Sequence, residues 1–379
     1  DSLDLVLRDS RLSSENIYLR KNLKKSISNN FKVNVGKQGL LKGHMSFESL
    51  DSFNFDFNFS NIDIVDVKNL LNSNVECKGI ADGKVQAKID GSKPFIMLDL
   101  NVENGSYDKI IFDQVSMLGS FFNNKIIINN FIYSHYKDKF ISNGWFTGNF
   151  NDEYKFSINE DDSLDVDINL SNFMFSKINR YIPLSQVLNG YGSGRIKANG
   201  LISNPLINLN VDIDSPVYDK LYGDNMKLRA IYKNHLFYIK QLSLNTQFGK
   251  YTASGFMPIT KNDLNQSYDV IVTGKSKAFE LLEPYISTLD SIRGDISFKL
   301  ELSGNEKNFK KNGMINFINT NVYYRDLNNY TESLNGTADI INNNLIIKNL
   351  SGTMVNKVRN DFTDFGKKIK NFFNIDIND

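Results

Sequence analysis

Residues 53–64 read FNFDFNFSNIDI. Phe53, Phe55, Phe57 and Phe59 take alternate positions, with Asn54, Asp56 and Asn58 between them. A period of two is that of a β-strand, so the four rings share one face and the polar side chains the other. After Phe59 the parity changes, because Ile62 and Ile64 fall on even numbers. Such a slip predicts a bulge or corner at Ser60-Asn61 that keeps the apolar side facing one way.

The same slip occurs a second time, at Ser171-Asn172, 111 residues further on. Asp56, Asn58, Ser60 and Asn61 map by that offset onto Asp167, Asn169, Ser171 and Asn172, and Tyr107-Asp108-Lys109 maps onto Tyr218-Asp219-Lys220. Gly83, Ala87, Pro94, Leu98 and Gly144 map onto Gly194, Ala198, Pro205, Leu209 and Gly255 without a gap. One offset held over so long a span marks an internal repeat. The apolar alternation repeats with it: Ile96, Leu98, Leu100 and Val102 become Ile207, Leu209, Val211 and Ile213. A third copy is looser, with Gly304 echoing Gly200 and Ile347 echoing Ile239. This divides the chain into the end of a partial copy (1–52), two clear copies (53–163 and 164–270), a degenerate copy (271–353) and a tail (354–379).

Each copy reads as about six strands separated by Gly, Asn, Asp or Pro turns. A short helix is expected after the first strand, near Val65–Leu71, Ser176–Tyr181 and Ala278–Tyr285. In the tail, Val355, Val358, Phe362, Phe365, Ile369 and Phe372 follow helical spacing, with Lys357, Arg359, Lys367, Lys368 and Lys370 on the other face. That pattern predicts a basic amphipathic helix, packed on the end of the sheet or lying on an anionic membrane surface.

The fold class is therefore all-β. Six prolines and no Ser- or Pro-rich linker between copies favour an elongated repetitive trough of antiparallel strands over separate sandwich beads. The residues expected to line its apolar face are Phe53, Phe55, Phe57, Phe59, Val85, Ala87, Ile89, Ile96, Leu98, Leu100, Val102, Val115, Met117, Ile126 and Ile128 in the first copy. Val166, Ile168, Leu170, Ile196, Ala198, Ile207, Leu209, Val211, Ile213, Met226, Leu228, Phe237 and Ile239 follow in the second. Periodicity is the same for a groove wall and for a dry core, so the pattern alone leaves both open.

Several function classes are excluded or left without support. A net charge of +1 gives no electrostatic footprint for nucleic acid. The single cysteine, Cys77, rules out an internal disulfide or a multi-cysteine zinc site. His44, His135 and His235 have no metal-ligand spacing, and GYGSGR (190–195) leads into an alternating strand where a phosphate loop needs a helix. The acidic run NEDDSLDVD (159–167) lacks the Gly and terminal Glu of a calcium loop and reads as a solvated inter-strand loop. No catalytic residue, metal or cofactor is expected. The chain opens on Asp1 and ends FFNIDIND, and reads as a piece cut from a longer protein, with any membrane anchor outside it.

The copy at 190–257 begins GYGSGRIKANGLISNPLINLNVDID and continues through a Tyr-Asp step and NHLFYIKQLSL to a closing Gly strand. The copy at 79–146 has the same outline, with SKP in place of SNP. This pattern, which spans most of the chain, resembles the repeated middle region of the TamB-type translocation and assembly module subunits of the AsmA-like family. The resemblance implies a β-trough in the periplasm of a diderm bacterium, attached to the inner membrane by a segment outside this chain. It implies phospholipid as the cargo moved toward the outer membrane, and an outer-membrane barrel protein as a partner. Two alternatives stay open: a scaffold for assembly of outer-membrane proteins or autotransporters, and a repetitive β-sandwich surface protein or adhesin.

Overall fold

The computed structural model describes residues 3–7, 10–14, 27–49, 52–70, 76–90, 93–150, 156–177, 188–219, 221–258, 267–278, 289–305, 308–324 and 330–355. Strands dominate, and the all-β class holds. The chain divides into two compact units, Asp1–Phe173 with Ser193–Pro205, and Met174–Gly192 with Leu206–Asp379.

The first unit is a meander of β1 (Leu3–Leu7), β2 (Ser10–Ser14), β3 (Ile27–Val35), β4 (Gly39–Ser49), β5 (Ser52–Asp63), β6 (Cys77–Asp90), β7 (Lys93–Tyr107), β8 (Ile110–Phe122), β9 (Lys125–His135) and β10 (Asp138–Thr147). Each pairs antiparallel with the next. A two-residue ladder, β11 (Asn149–Phe150) with β12 (Phe156–Ser157), precedes β13 (Ser163–Met174), which pairs with β10. β14 (Leu188–Leu201) follows.

In the second unit β15 (Asn204–Tyr218) carries the short β16 (Leu221–Tyr222) and pairs with β17 (Asn225–Lys233). The meander then runs through β18 (Leu236–Asn245), β19 (Gly249–Pro258), β20 (Tyr268–Ala278), β21 (Leu289–Gly304), β22 (Phe309–Tyr324), β23 (Tyr330–Ile341) and β24 (Asn344–Val355). Among the described residues no ladder joins the first strand of either unit to its last, so neither meander closes into a barrel.

The parity slip in the opening stretch is a bulge. Asn61 sits in the left-handed region at φ 52°, and the β5–β6 register shifts between Phe59 and Ile62. Its N–H donates to Asp82 Oδ1 at 2.9 Å. Asn172, with φ 50°, donates to Ser193 Oγ at the same distance. Both residues of that second pair lie 111 positions after the first. Further left-handed residues recur by the same offset, at Asn104 and Ser215, Asp108 and Asp219, Asn123 and Asn234, and Asn124 and His235. Asn tolerates this conformation better than most residues, which gives the chain's many asparagines a structural role. Asn61→Gly is accordingly expected to leave the urea midpoint nearly unchanged. Asn61→Val is expected to cost about 1–2 kcal/mol, read from the same titration.

Helix α1 (Ile64–Leu70) falls close to the expected first helix, and Asp63 Oδ1 caps it by accepting from the Val65 N–H at 2.9 Å. The second expected helix begins as a single 3₁₀ turn, Phe175–Lys177, and its remainder lies outside the described residues. In the third, Ala278 ends β20 and the rest lies outside the described residues. The tail expectation needs one correction: Val355 is the last residue of β24, held opposite Tyr330, because strand pairing satisfies its backbone groups there. Val358, Phe362, Phe365, Ile369 and Phe372 lie outside the described residues. The acidic run is also corrected in part: Ser163–Asp167 belongs to β13, and only Asn159–Asp162 forms the loop.

Candidate functional site: an apolar face in cross-strand register

Residues directly opposite on neighbouring strands share a face. Following the register of the first unit from β4 to β13 gives one row Gly43, Phe57, Val85, Leu98, Gly119, Ile128, Gly144 and Val166. The next row is Phe59, Gly83, Leu100, Met117, Phe131, Ser142 and Ile168. A third is Ile62, Ala81, Val102, Val115, Tyr133, Phe140 and Leu170. On the other side of the first row stand Phe55, Ala87, Ile96, Phe121, Ile126, Phe146 and Leu164, and beyond them Phe53, Ile89 and Pro94.

The structure thus brings the expected first-copy residues, and Val166, Ile168 and Leu170 of the second, onto one sheet face. Ile196 and Ala198 sit half-buried on β14, at the positions equivalent to Val85 and Ala87. One bulge on β9, at Asn129-Asn130, shifts the register against β10 between Ser142 and Gly144 and against β8 between Leu118 and Gly119, and keeps the apolar side chains on that face. It also hides Phe131 and Tyr133 from a simple alternation rule; sequence reasoning missed both, and missed Phe140, which keeps the alternation of β10. The signal present was the spacing of two between Phe131 and Tyr133 after the Asn129-Asn130 step, and between Phe140, Ser142, Gly144 and Phe146.

Burial is graded across the face. Ile62, Ala81, Val102, Tyr133 and Leu170 are at most 8% exposed. Phe53, Phe55, Phe57, Phe59, Val85, Ala87, Ile96, Leu98, Leu100, Val115, Met117, Ile126, Ile128, Val166 and Ile168 are half-buried. A face closed against a second sheet buries its inward residues throughout; here buried side chains concentrate in the Ile62–Leu170 row, with Phe121 and Ser142 buried in other rows, and most of the rest stay partly accessible. At one end the rings form a ladder, with Phe53–Phe55 centroids at 4.9 Å, Phe55–Phe57 at 5.3 Å and Phe31–Phe57 at 5.0 Å. Along these rows the polar side-chain groups are Ser142 and the Tyr133 hydroxyl, which donates to the Ile111 carbonyl at 2.9 Å.

In the second unit Ile207, Leu209, Val211 and Ile213 stand opposite Tyr232, Ala230, Leu228 and Met226. The face continues through Phe237 and Ile239. Ile207, Leu209, Met226, Leu228 and Phe237 are half-buried, whereas Val211, Ile213 and Ile239 are buried. Further along, Tyr251, Ile296, Phe298, Ile315 and Ile340 join a buried cluster. The alternation Ile296, Phe298, Leu300, Leu302 pointed to it, but the looseness of the third copy kept it off the list of expected residues.

The opposite face of the first unit is polar and carries a repeated ion pair. Lys84 Nζ lies 3.3 Å from Asp56 Oδ1, and Arg195 pairs with Asp167 at positions 111 later. The Gln86 amide donates to Asp56 at 2.7 Å and, with Lys84, holds that carboxyl below its usual range; the Arg195 guanidinium does the same for Asp167. A carboxyl depressed in the folded state adds stability above its unfolded pKa and loses it as pH falls through the folded value. Wild-type stability is therefore expected to decline below about pH 4. In thermal melts across pH 3–6, the decline is expected to flatten in the Asp56→Asn, Asp167→Asn double variant.

Polar chemistry does not converge on the apolar face. His44 contacts Asn30, His135 pairs with Asp113 at 3.2 Å, and His235 occupies a turn. Among the described residues no group of three or more His, Cys, Asp or Glu could hold a metal ion. No described helix is long and apolar enough to cross a membrane. No protein-family model, curated protein or solved structure matches the chain.

Proposed function

We propose that the first unit's apolar face holds the acyl chains of phospholipid, and that the protein is a lipid-carrying β-groove of the bacterial envelope. One observation carries the reading: an in-register apolar face, many residues wide, keeps most of its side chains partly accessible. Each methylene moved from water onto such a surface gains up to ~0.8 kcal/mol, so a full acyl chain gains on the order of 10 kcal/mol when wholly covered. The near absence of polar groups on the rows gives similar sites along the face, as sliding cargo requires. The resemblance to the TamB-type repeat region supplies the rest of the proposal: a periplasmic location, an inner-membrane attachment outside this chain, and an outer-membrane barrel protein as partner.

The test is a photo-crosslinking amino acid at position 98 in the intact protein, expressed in a diderm host. Lipid adducts, with phospholipid in organic extracts of the purified protein, are the expected result. Adducts to polypeptide alone favour the assembly-scaffold alternative and overturn the lipid reading.

A further inference from the structure

The polar face of the first unit has an apolar exception. Phe95, Leu118 and Phe122 are 39%, 41% and 44% exposed there, and the Phe95 and Phe122 rings pair at 6.3 Å. Beside them Trp145 stands opposite Ile127, and Lys125 Nζ lies 3.5 Å from the centre of its ring. Lys125 is also opposite Phe122, and Lys88 is opposite Phe95, so cations stand next to the two exposed rings.

The second unit keeps only part of this arrangement, with Leu206 and Lys233 at the positions of Phe95 and Phe122. Tyr238 and Phe256, 111 positions after Ile127 and Trp145, pair at 5.8 Å, and Lys233 Nζ lies 5.4 Å from the Tyr238 ring centre. The hairpin pair Phe122–Lys125 reappears with its members exchanged, as Lys233–Leu236. Both units thus set a lysine ammonium over an aromatic ring at this hairpin, although the residues that supply the ring and the cation differ.

We propose that this aromatic–lysine patch docks on the surface of a phospholipid bilayer. Aromatic rings suit the depth where headgroups meet chains. Lysines beside the rings lay their stems on apolar surface and present ammonium groups to phosphate. Asp165, opposite Trp145, lies 4.0 Å from Lys197, and Asp99 stands opposite Leu118, away from the two rings. The end that carries Phe95 and Phe122 therefore presents Lys88 and Lys125, and this local charge selects anionic lipid over a neutral protein surface as the occupant. The proposal is independent of the lipid-carrying reading, since the patch lies on the opposite side of the sheet from Leu98.

Trp145 is the only tryptophan, so its emission reports the patch directly. The intact protein is mixed with phosphatidylethanolamine–phosphatidylglycerol vesicles. The expected result is a blue shift, quenching by brominated chains in the vesicles, and weaker binding at high salt. Phe122→Glu and Leu118→Glu, both at exposed positions, are each expected to weaken vesicle binding about tenfold or more. Asn58→Glu, exposed on the same face but away from the patch, is expected to leave it unchanged, which separates loss of the patch from added negative charge. No shift and no co-flotation at saturating lipid overturns the proposal, as does binding that survives both glutamate variants. An emission shift that follows protein concentration without lipid assigns the patch to a second copy of the chain and also overturns it.

Discussion

Leu98→Asp is expected to strip phospholipid from the purified protein, lowering the lipid extracted per mole about tenfold or more, while the far-ultraviolet circular dichroism keeps its β signature. Leu98 is half-buried in the middle of the first unit's face, opposite Val85 on one side and Gly119 on the other. A carboxylate there meets an acyl chain with no hydrogen-bond partner in the row, and burying it unpaired costs several kcal/mol. Since ~1.4 kcal/mol is a factor of ten, partial burial suffices for the effect. The fold is expected to tolerate the change because Leu98 is only partly buried, so the carboxylate reaches water when lipid is absent. Leu98→Ala sets the scale: it removes methylenes without adding charge, and is expected to lower lipid content by less than Leu98→Asp. If Leu98→Asp and wild type carry equal lipid, or if neither carries any, the groove assignment fails.

The strand character of Phe53–Phe59 was legible because alternation along one strand does not depend on tertiary context. The repeat was legible for a related reason. Turns and bulges demand particular backbone angles, so Asn61, Asn172, Gly144 and Gly255 leave a spacing that survives while packing residues drift. The face itself was harder to read past each bulge. Alternation alone carries Met117 forward correctly, yet Phe131, opposite it, has the other parity from Ile128 on the same strand. Whether the face is open or closed was not legible, because a groove wall and a core strand have the same period. Only the graded burial, from 5% at Val102 to half-buried rings at Phe53–Phe59, separates them. The patch around Trp145 escaped notice for the opposite reason. Phe95, Leu118, Phe122 and Trp145 lie on three strands, β7, β8 and β10, that come together only through the pairing of β7 with β8, β8 with β9 and β9 with β10.

Gly144→Val and Gly255→Val are each expected to destabilise the protein by about 3 kcal/mol or more, the largest effect of any single substitution considered. Gly144 has φ 143° and Gly255 φ 130°, a region that side chains rarely enter. A Cβ at Gly144 would stand 2.1 Å from the Asp165 carbonyl oxygen, and one at Gly255 would stand 2.0 Å from that of Asp269. Both obstacles are backbone atoms of the neighbouring strand, so no rotamer change relieves them. Either the glycine's strand or its neighbour must move, and both are held by ladders: β10 to β13, and β19 to β20. The two glycines also sit at register shifts, next to Ser142 and opposite Ile239, where the bulge keeps the apolar residues on one face. A side chain there is therefore expected to disturb the face as well as the ladder. Urea titration followed by circular dichroism measures the stability loss, and lipid content of the surviving folded fraction measures the loss of the face. Asn61→Gly, which relaxes a left-handed residue instead of forcing one, is the matched control and is expected to change neither. A Gly144→Val protein with wild-type stability would mean that the strand crossing at Asp165 is looser than its geometry indicates, and would remove the corner from the account of how this sheet keeps its apolar side turned one way.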